Sequence, residues 1–389
     1  MAKAEIINII DGKKLEIKFE DTNETEIIGN KELITKKIKE YTVGSIIDVE
    51  LNGIAVKSIE IIKQAPAKVV LIGTTGEIYP YNFVSLGSKI ERTPMTKGEL
   101  SGKIECTLKN LTPLSTGIEE NENTAKLTNY TIAAATLKGE IRRIVEVITR
   151  SCIGNTKVDV KKLDKFEICS EKNNLCFACR MFGTTGGEGG DFGYSSKVFF
   201  EDAISEKIRK IDFEEKIFVM GPPDSTVKRL YFKDKGTTIR GRKFYWNCIP
   251  TRGRTKENRS SSKMDFLKQG KEFRFTVHFK NLTEEELGVL IYSIELEKDL
   301  YHRIGRAKCY GHGRCEMKIS KILLEGKNKY KTFSSGYELL NDKEKYKNIA
   351  MQKYINDTKE IKEFKKISGL PQNNVKFFRI KVLPEILDY

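Results

Sequence analysis

FTVHFKNLTEEELGVLIYSIELE (275–297) reads as a β-strand that runs directly into a helix. Its first residues alternate apolar and polar, the period-two pattern of a half-buried strand. Thr283-x-x-Glu286 then forms a capping box, in which the threonine hydroxyl and the glutamate carboxylate each satisfy an orphan N–H of the first helical turn. The run that follows is amphipathic. Upstream, GKIECTLKNLTPL (102–114) reads as another strand. A helix over about 136–151 follows it, with Leu137, Ile141, Ile144, Val145 and Ile148 at helical spacing. Strands are expected again at 197–202 and 215–220, and downstream of the opening stretch CEMKISKILLEG (315–326) reads as the last strand. The order over residues 102–325 is strand, helix, strand, strand, helix, strand. That is the split βαβ of an α+β, ferredoxin-like (RRM-like) core. Such a sheet can stack bases on its open face, although the fold alone fixes no function.

The remaining chain arranges itself around that core. Residues 1–64 form a small β-rich domain, with alternation in KLEIKFE and SIIDVEL and turns at Asp11-Gly12 and Asn52-Gly53. Residues 65–100 are a connector punctuated by Pro66, Pro80 and Pro94. The core, 101–329, carries a cysteine-rich insertion at 152–196 and a basic insertion at 221–263. Residues 330–389, rich in Lys and Glu, read as a solvated helical extension.

Composition narrows the partners. The chain has 389 residues and a net charge of +15, which favours a polyanion and nucleic acid first among them. The charge is concentrated. Residues 228–263 hold twelve Lys or Arg against two acids, +10 in 36 residues, where a composition bias would spread it. No stretch approaches the roughly 18 apolar residues of a membrane span, and the first residues lack a signal peptide's apolar core. The expectation is a cytoplasmic protein with no membrane partner. Only three histidines are present, so histidine-pair acid–base chemistry is poorly supplied.

Four motifs carry chemistry. Cys152, Cys169, Cys176 and Cys179 offer four thiolates, and Cys176-x-x-Cys179 has the knuckle spacing that grips one face of a tetrahedral zinc. In a reducing compartment such cysteines indicate metal or burial rather than disulfides. In RIGRAKCYGHGRCEM (303–317), Gly305, Gly311 and Gly313 let backbone N–H groups approach a phosphate, while Lys308 and Arg314 add charge. The helix start ATLKGEIRRIVEVITRS (135–151) presents free N–H groups to an anion, and Lys138, Arg142 and Arg143 extend that site. Finally, RLYFKDKGTTIRGRKFYW (229–246) interleaves Arg240, Arg242 and Lys243 with Tyr245 and other aromatics, pairing phosphate contact with base stacking.

The helix start, the opening strand–helix and the glycine-rich loop together resemble the RAMP (repeat-associated mysterious protein) superfamily. RGRKFYW with YPYNFVSL (79–86) resembles one RAMP family associated with type III CRISPR loci. The resemblance spans about residues 78–330 and implies a guide-RNA-binding scaffold of an antiviral interference complex. Its implied partners are CRISPR RNA, with or without target RNA, and other effector subunits. It also implies a structural zinc in the cysteine-rich insertion. Relatives that cut target RNA use an Asp after the first core strand, with magnesium or manganese. This chain has no Asp between Gly102 and Lys157, and only Glu119, Glu120 and Glu122 stand in that loop. An endoribonuclease subunit based on Glu119 and Glu120 is therefore the alternative reading. A zinc-containing RNA-binding protein outside CRISPR is the second alternative.

Overall fold

The computed structural model describes residues 2–10, 13–22, 24–35, 46–52, 55–63, 81–116, 130–153, 166–185, 193–205, 211–218, 231–233, 238–247, 261–326 and 336–370. They fall into two compact units, one holding the described residues up to 63 and the other those from 81 to 370.

The N-terminal unit is a five-stranded antiparallel sheet of β1 (Ala2–Ile10), β2 (Lys14–Phe19), β3 (Thr25–Gly29), β4 (Ile46–Asn52) and β5 (Ala55–Lys63). Its spatial order is β3-β2-β1-β4-β5. Alternation sends Ala4, Ile6, Leu15, Ile17, Ile47 and Val49 to one face, where they form a single core closed by Ile34. The two edge strands approach each other, so the sheet curls toward a small barrel.

In the second unit, β6 (Tyr81–Val84) precedes the long strand β7 (Leu100–Asn110) and helix α1 (Ala134–Ile148). Then come α2 (Phe177–Phe182), β8 (Val198–Phe200), β9 (Arg242–Tyr245) and β10 (Glu272–Leu282). Helix α3 (Glu284–Glu295) and β11 (Arg314–Glu325) complete the core. The sheet order β11-β7-β10-β8 is antiparallel throughout, as a ferredoxin-like split βαβ requires. The capping box at Thr283 is formed from both sides. Its Glu286 is buried and also receives Lys197 Nζ at 2.9 Å. Removing either partner would strand a charge and cost about 3–5 kcal/mol.

Two expectations change. The central strands turn Lys103, Glu105, Thr107, Arg274, Thr276, His278, Glu316 and Lys318 to the open face of the sheet, opposite the buried Ile104, Cys106, Leu108, Phe275 and Val277. Lys321–Glu105 (3.0 Å), Lys318–Glu316 (3.3 Å) and His278–Glu201 (2.6 Å) pair these charges across or beside the face. Phe199, on the edge strand, is the exposed phenylalanine beside them. Among the described residues the central strands therefore offer charge rather than rings on the open face, with Phe199 and Tyr337 at its edges. The C-terminal segment is also not wholly solvated. Tyr346 and Ala350 of α4 (Lys343–Tyr354) are buried, as are Ile361, Phe364 and Ile367 of α5 (Lys359–Ser368). Their apolar residues recur every three to four positions, which the Lys-rich composition conceals. Helix α5 braces β6, where Glu363 accepts from Ser85 N and Oγ at 2.7 and 2.6 Å. Among the described residues, no helix is long and apolar enough to cross a membrane.

Candidate metal centre and nucleic-acid interface

Four cysteines from three segments converge. Cys152 follows the end of α1, Cys176 sits in a short strand immediately before α2, and Cys179 lies within the first turn of that helix. Cys169 arrives from the preceding loop. All four are buried, and their sulfurs lie within 4.8 Å of one another. Cys152 Sγ is 3.5 Å from both Cys176 Sγ and Cys179 Sγ, and none of the four is in a disulfide. Tetrahedral zinc with Zn–S bonds of about 2.3 Å sets its sulfurs about 3.8 Å apart, a spacing compatible with this set. Cys176 N donates to Cys169 Sγ at 3.2 Å. Hydrogen bonds from neighbouring thiols hold Cys176 well below the ordinary thiol range and Cys169 at about 7, whereas Cys152 is pushed up. Among the described residues this is the one group of three or more His, Cys, Asp or Glu side chains placed to share an ion.

Cations surround the sulfurs. Arg142 donates to Glu146 at 2.9 Å, to Gly183 O at 3.2 Å and to Cys179 Sγ at 3.8 Å. Arg242 is buried and donates to the carbonyls of Ser151 and Cys152, the latter at 3.1 Å. A divalent ion on four thiolates would carry a net −2, and these guanidiniums offset it. Arg142 and Arg242 were expected at an RNA surface. The structure directs both inward to the cysteine site, and Arg142 retains only partial exposure.

The next residue of α1 points elsewhere. Arg143 Nη2 meets the carboxylate of Glu140 at 2.7 Å, and Glu140 Oε1 accepts from Arg303 N at 3.2 Å. Burial raises the Glu140 carboxyl, but Arg143 and His302 outweigh it and hold the group down at about 2. Helix α1 is thereby tied to the glycine-rich loop. Arg303 closes that loop from inside, donating to Gly311 O at 2.9 Å and to Lys308 O. Lys308 is partly buried, which lowers its ammonium value, and Glu140 lies near enough to oppose that. Arg143 and Lys308 both act on the one Glu140 carboxylate, so the positive excess is local.

The glycines serve the loop's own packing. Gly305, Gly311 and Gly313 have φ of +83°, +86° and +77°. A Cβ at Gly313 would clash with the Ile304 carbonyl, and one at Gly305 with that of Ser115. Gly313 N already donates to Pro113 O at 2.8 Å. His312 is buried against Phe266 with neither ring nitrogen hydrogen-bonded, and burial holds it neutral with a value of about 4.

A third feature joins the connector to the basic segment. β6 and β9 pair antiparallel, with Lys243 opposite Phe83 and Tyr245 opposite Tyr81. Lys243 Nζ lies 3.9 Å from the Tyr81 ring centroid, 5.3 Å from that of Tyr245 and 5.6 Å from that of Tyr231. Burial lowers Lys243 to about 8. Arg143 stacks on Phe244 at 4.0 Å, so this ribbon adjoins the Glu140 cluster. Arg240 is exposed and Lys138 half-buried on the first turn of α1. Glu119 and Glu120 lie outside the described residues, as do seven of the twelve cations in 228–263. Sequence reasoning missed Glu140 and Phe83. Strict period-two reading of RKFY would have shown that Arg242 and Lys243 face opposite ways.

A family profile described as the RAMP superfamily matches residues 107–316, just over half of the chain. The match spans α1, the cysteine site, β9, β10, α3 and the glycine-rich loop. No curated protein matches the sequence.

Proposed function

The chain belongs to the RAMP superfamily of CRISPR-associated proteins, and from that premise we propose that it is a guide-RNA-binding scaffold subunit of a type III-like interference complex. The observation that carries the reading is the junction of α1 with the glycine-rich loop. There Arg143 and Lys308, both partly exposed, act on the single buried carboxylate of Glu140, which leaves net positive charge for backbone phosphates. The protein's surface would follow the guide's backbone, while base pairing supplies sequence specificity. Zinc is the proposed occupant of the cysteine site. With all four ligands from cysteine, it has no open position, and its role is to hold α1, α2 and β9 together. No catalytic step is assigned to this chain. Sequencing of RNA that co-purifies with the chain from its native cell tests the proposal. Repeat-derived guides are expected; ribosomal or random fragments would contradict it.

A further inference from the structure

We propose that the β6–β9 ribbon is a stacking surface for unpaired bases, so that this chain holds RNA as a single strand rather than as a duplex. The inference rests on the RNA-binding reading above and adds to it the face that meets the bases. Antiparallel register places Lys243 and Tyr245 on one face with Phe83 and Tyr81, while Arg242 and Phe244 turn into the protein. Tyr231 joins that face, 5.6 Å from Phe83. Phe83, Tyr231 and Tyr245 are each partly exposed.

The ring geometry matters as much as the composition. Tyr81–Phe83, Phe83–Tyr231 and Tyr81–Tyr245 meet at 89°, 78° and 78°. In each edge-on pair the edge of one ring meets the face of the other and Lys243 lies over Tyr81, so a base would meet the outer, partly exposed sides of Phe83, Tyr231 and Tyr245. The ammonium of Lys243, gathered among them and donating to Tyr231 Oη at 3.4 Å, adds positive charge to this face. Positive charge stands close to this face, because Arg143, which pairs with Glu140 beside the glycine-rich loop, is near enough to act on the Tyr245 hydroxyl. A nucleotide's two chemistries are thus met side by side, with cations for the phosphate and rings for the base. Duplex RNA keeps its base faces inside its own stack, and only an unpaired strand can offer them.

Binding of the full chain, with its metal retained, to three labelled RNAs tests this: an unrelated single strand, the same strand with abasic residues, and a blunt duplex. The intact single strand should bind about tenfold more tightly than either of the others. Tyr245→Leu keeps apolar bulk and removes the stacking ring. It should lower single-strand affinity about tenfold, erase the difference from the abasic strand and leave the salt slope unchanged. Tyr231→Leu repeats the test if Tyr245→Leu melts early. Wild-type protein that binds none of the RNAs overturns the RNA-binding reading itself. Equal affinity for intact and abasic strands, or wild-type behaviour of a folded tyrosine variant, overturns the stacking surface and leaves the scaffold reading standing.

Discussion

The open face of the four-stranded sheet and the face of the two-stranded ribbon make opposite use of the same alternation. On the sheet, outward positions carry Lys and Glu that neutralise one another, as in Lys321–Glu105 and Lys318–Glu316. On the ribbon, outward positions carry Lys243 and Tyr245 among further rings, with the positive cluster of α1 and the glycine-rich loop alongside. A ferredoxin-like topology therefore does not fix where nucleic acid would sit. The sheet supplies the frame, and the segments added to it supply the chemistry.

The largest expected effect separates what supports each face. Arg242 hangs β9 from the carbonyls of Ser151 and Cys152, so the ribbon depends on the cysteine site and the sheet does not. Zinc should be found at about one ion per chain by elemental analysis. Cys176→Ser should lose it and lower the melting temperature by about 10 °C. Hydrogen exchange should then show loss of protection at 242–245 while 274–279 stays protected. Equal loss in both strands would remove the distinction between the two faces.

Glycine substitutions come next. Gly313→Val forces a side chain against the Ile304 carbonyl at positive φ and should destabilise the fold by about 3 kcal/mol in denaturant melts. Gly139→Ala places its methyl in open space on α1 and should stabilise by about 1 kcal/mol. If Gly139→Ala instead weakens RNA binding in a stably folded protein, RNA approaches α1 more closely than the charge cluster requires.

How far the chain could be read without coordinates follows the same division. The core order and the Thr283 cap were legible, because long strands and an amphipathic helix impose strong periods. The four cysteines were legible as a set through their chemistry. Arg142 and Arg143 were not, because adjacent helix residues point about 100° apart and only the packing shows which meets sulfur and which meets Glu140. The C-terminal helices hid their apolar stripe behind lysines. The glycines were legible as glycines, but their use in closing the loop on Pro113, Ser115 and Ile304 is a tertiary fact.

Smaller effects concern charge. Arg143→Ala with Lys308→Ala should reduce the slope of log affinity against log salt by about 1.4, at about 0.7 per single-strand phosphate contact. Lys103→Ala with Lys109→Ala on the sheet should leave it unchanged. The smallest is a pH effect at Lys243, whose folded value of about 8 lies below the ordinary 10.5. Between those values the unfolded chain holds the extra proton, so this residue's contribution to stability rises with pH. RNA meanwhile loses the ammonium as pH rises through 8. Affinity measured from pH 7 to 9 should fall two- to threefold more in wild type than in Lys243→Arg.

The placement of RNA on the ribbon is tested most directly by photo-crosslinking. RNA carrying 4-thiouridine is bound to the full chain, irradiated and digested, and the attached peptides are identified by mass spectrometry. Adducts should fall at Phe83, Tyr231 or Tyr245, with 101–109 and 272–280 unmodified. Adducts concentrated on the sheet strands, with the ribbon clear, would contradict the account.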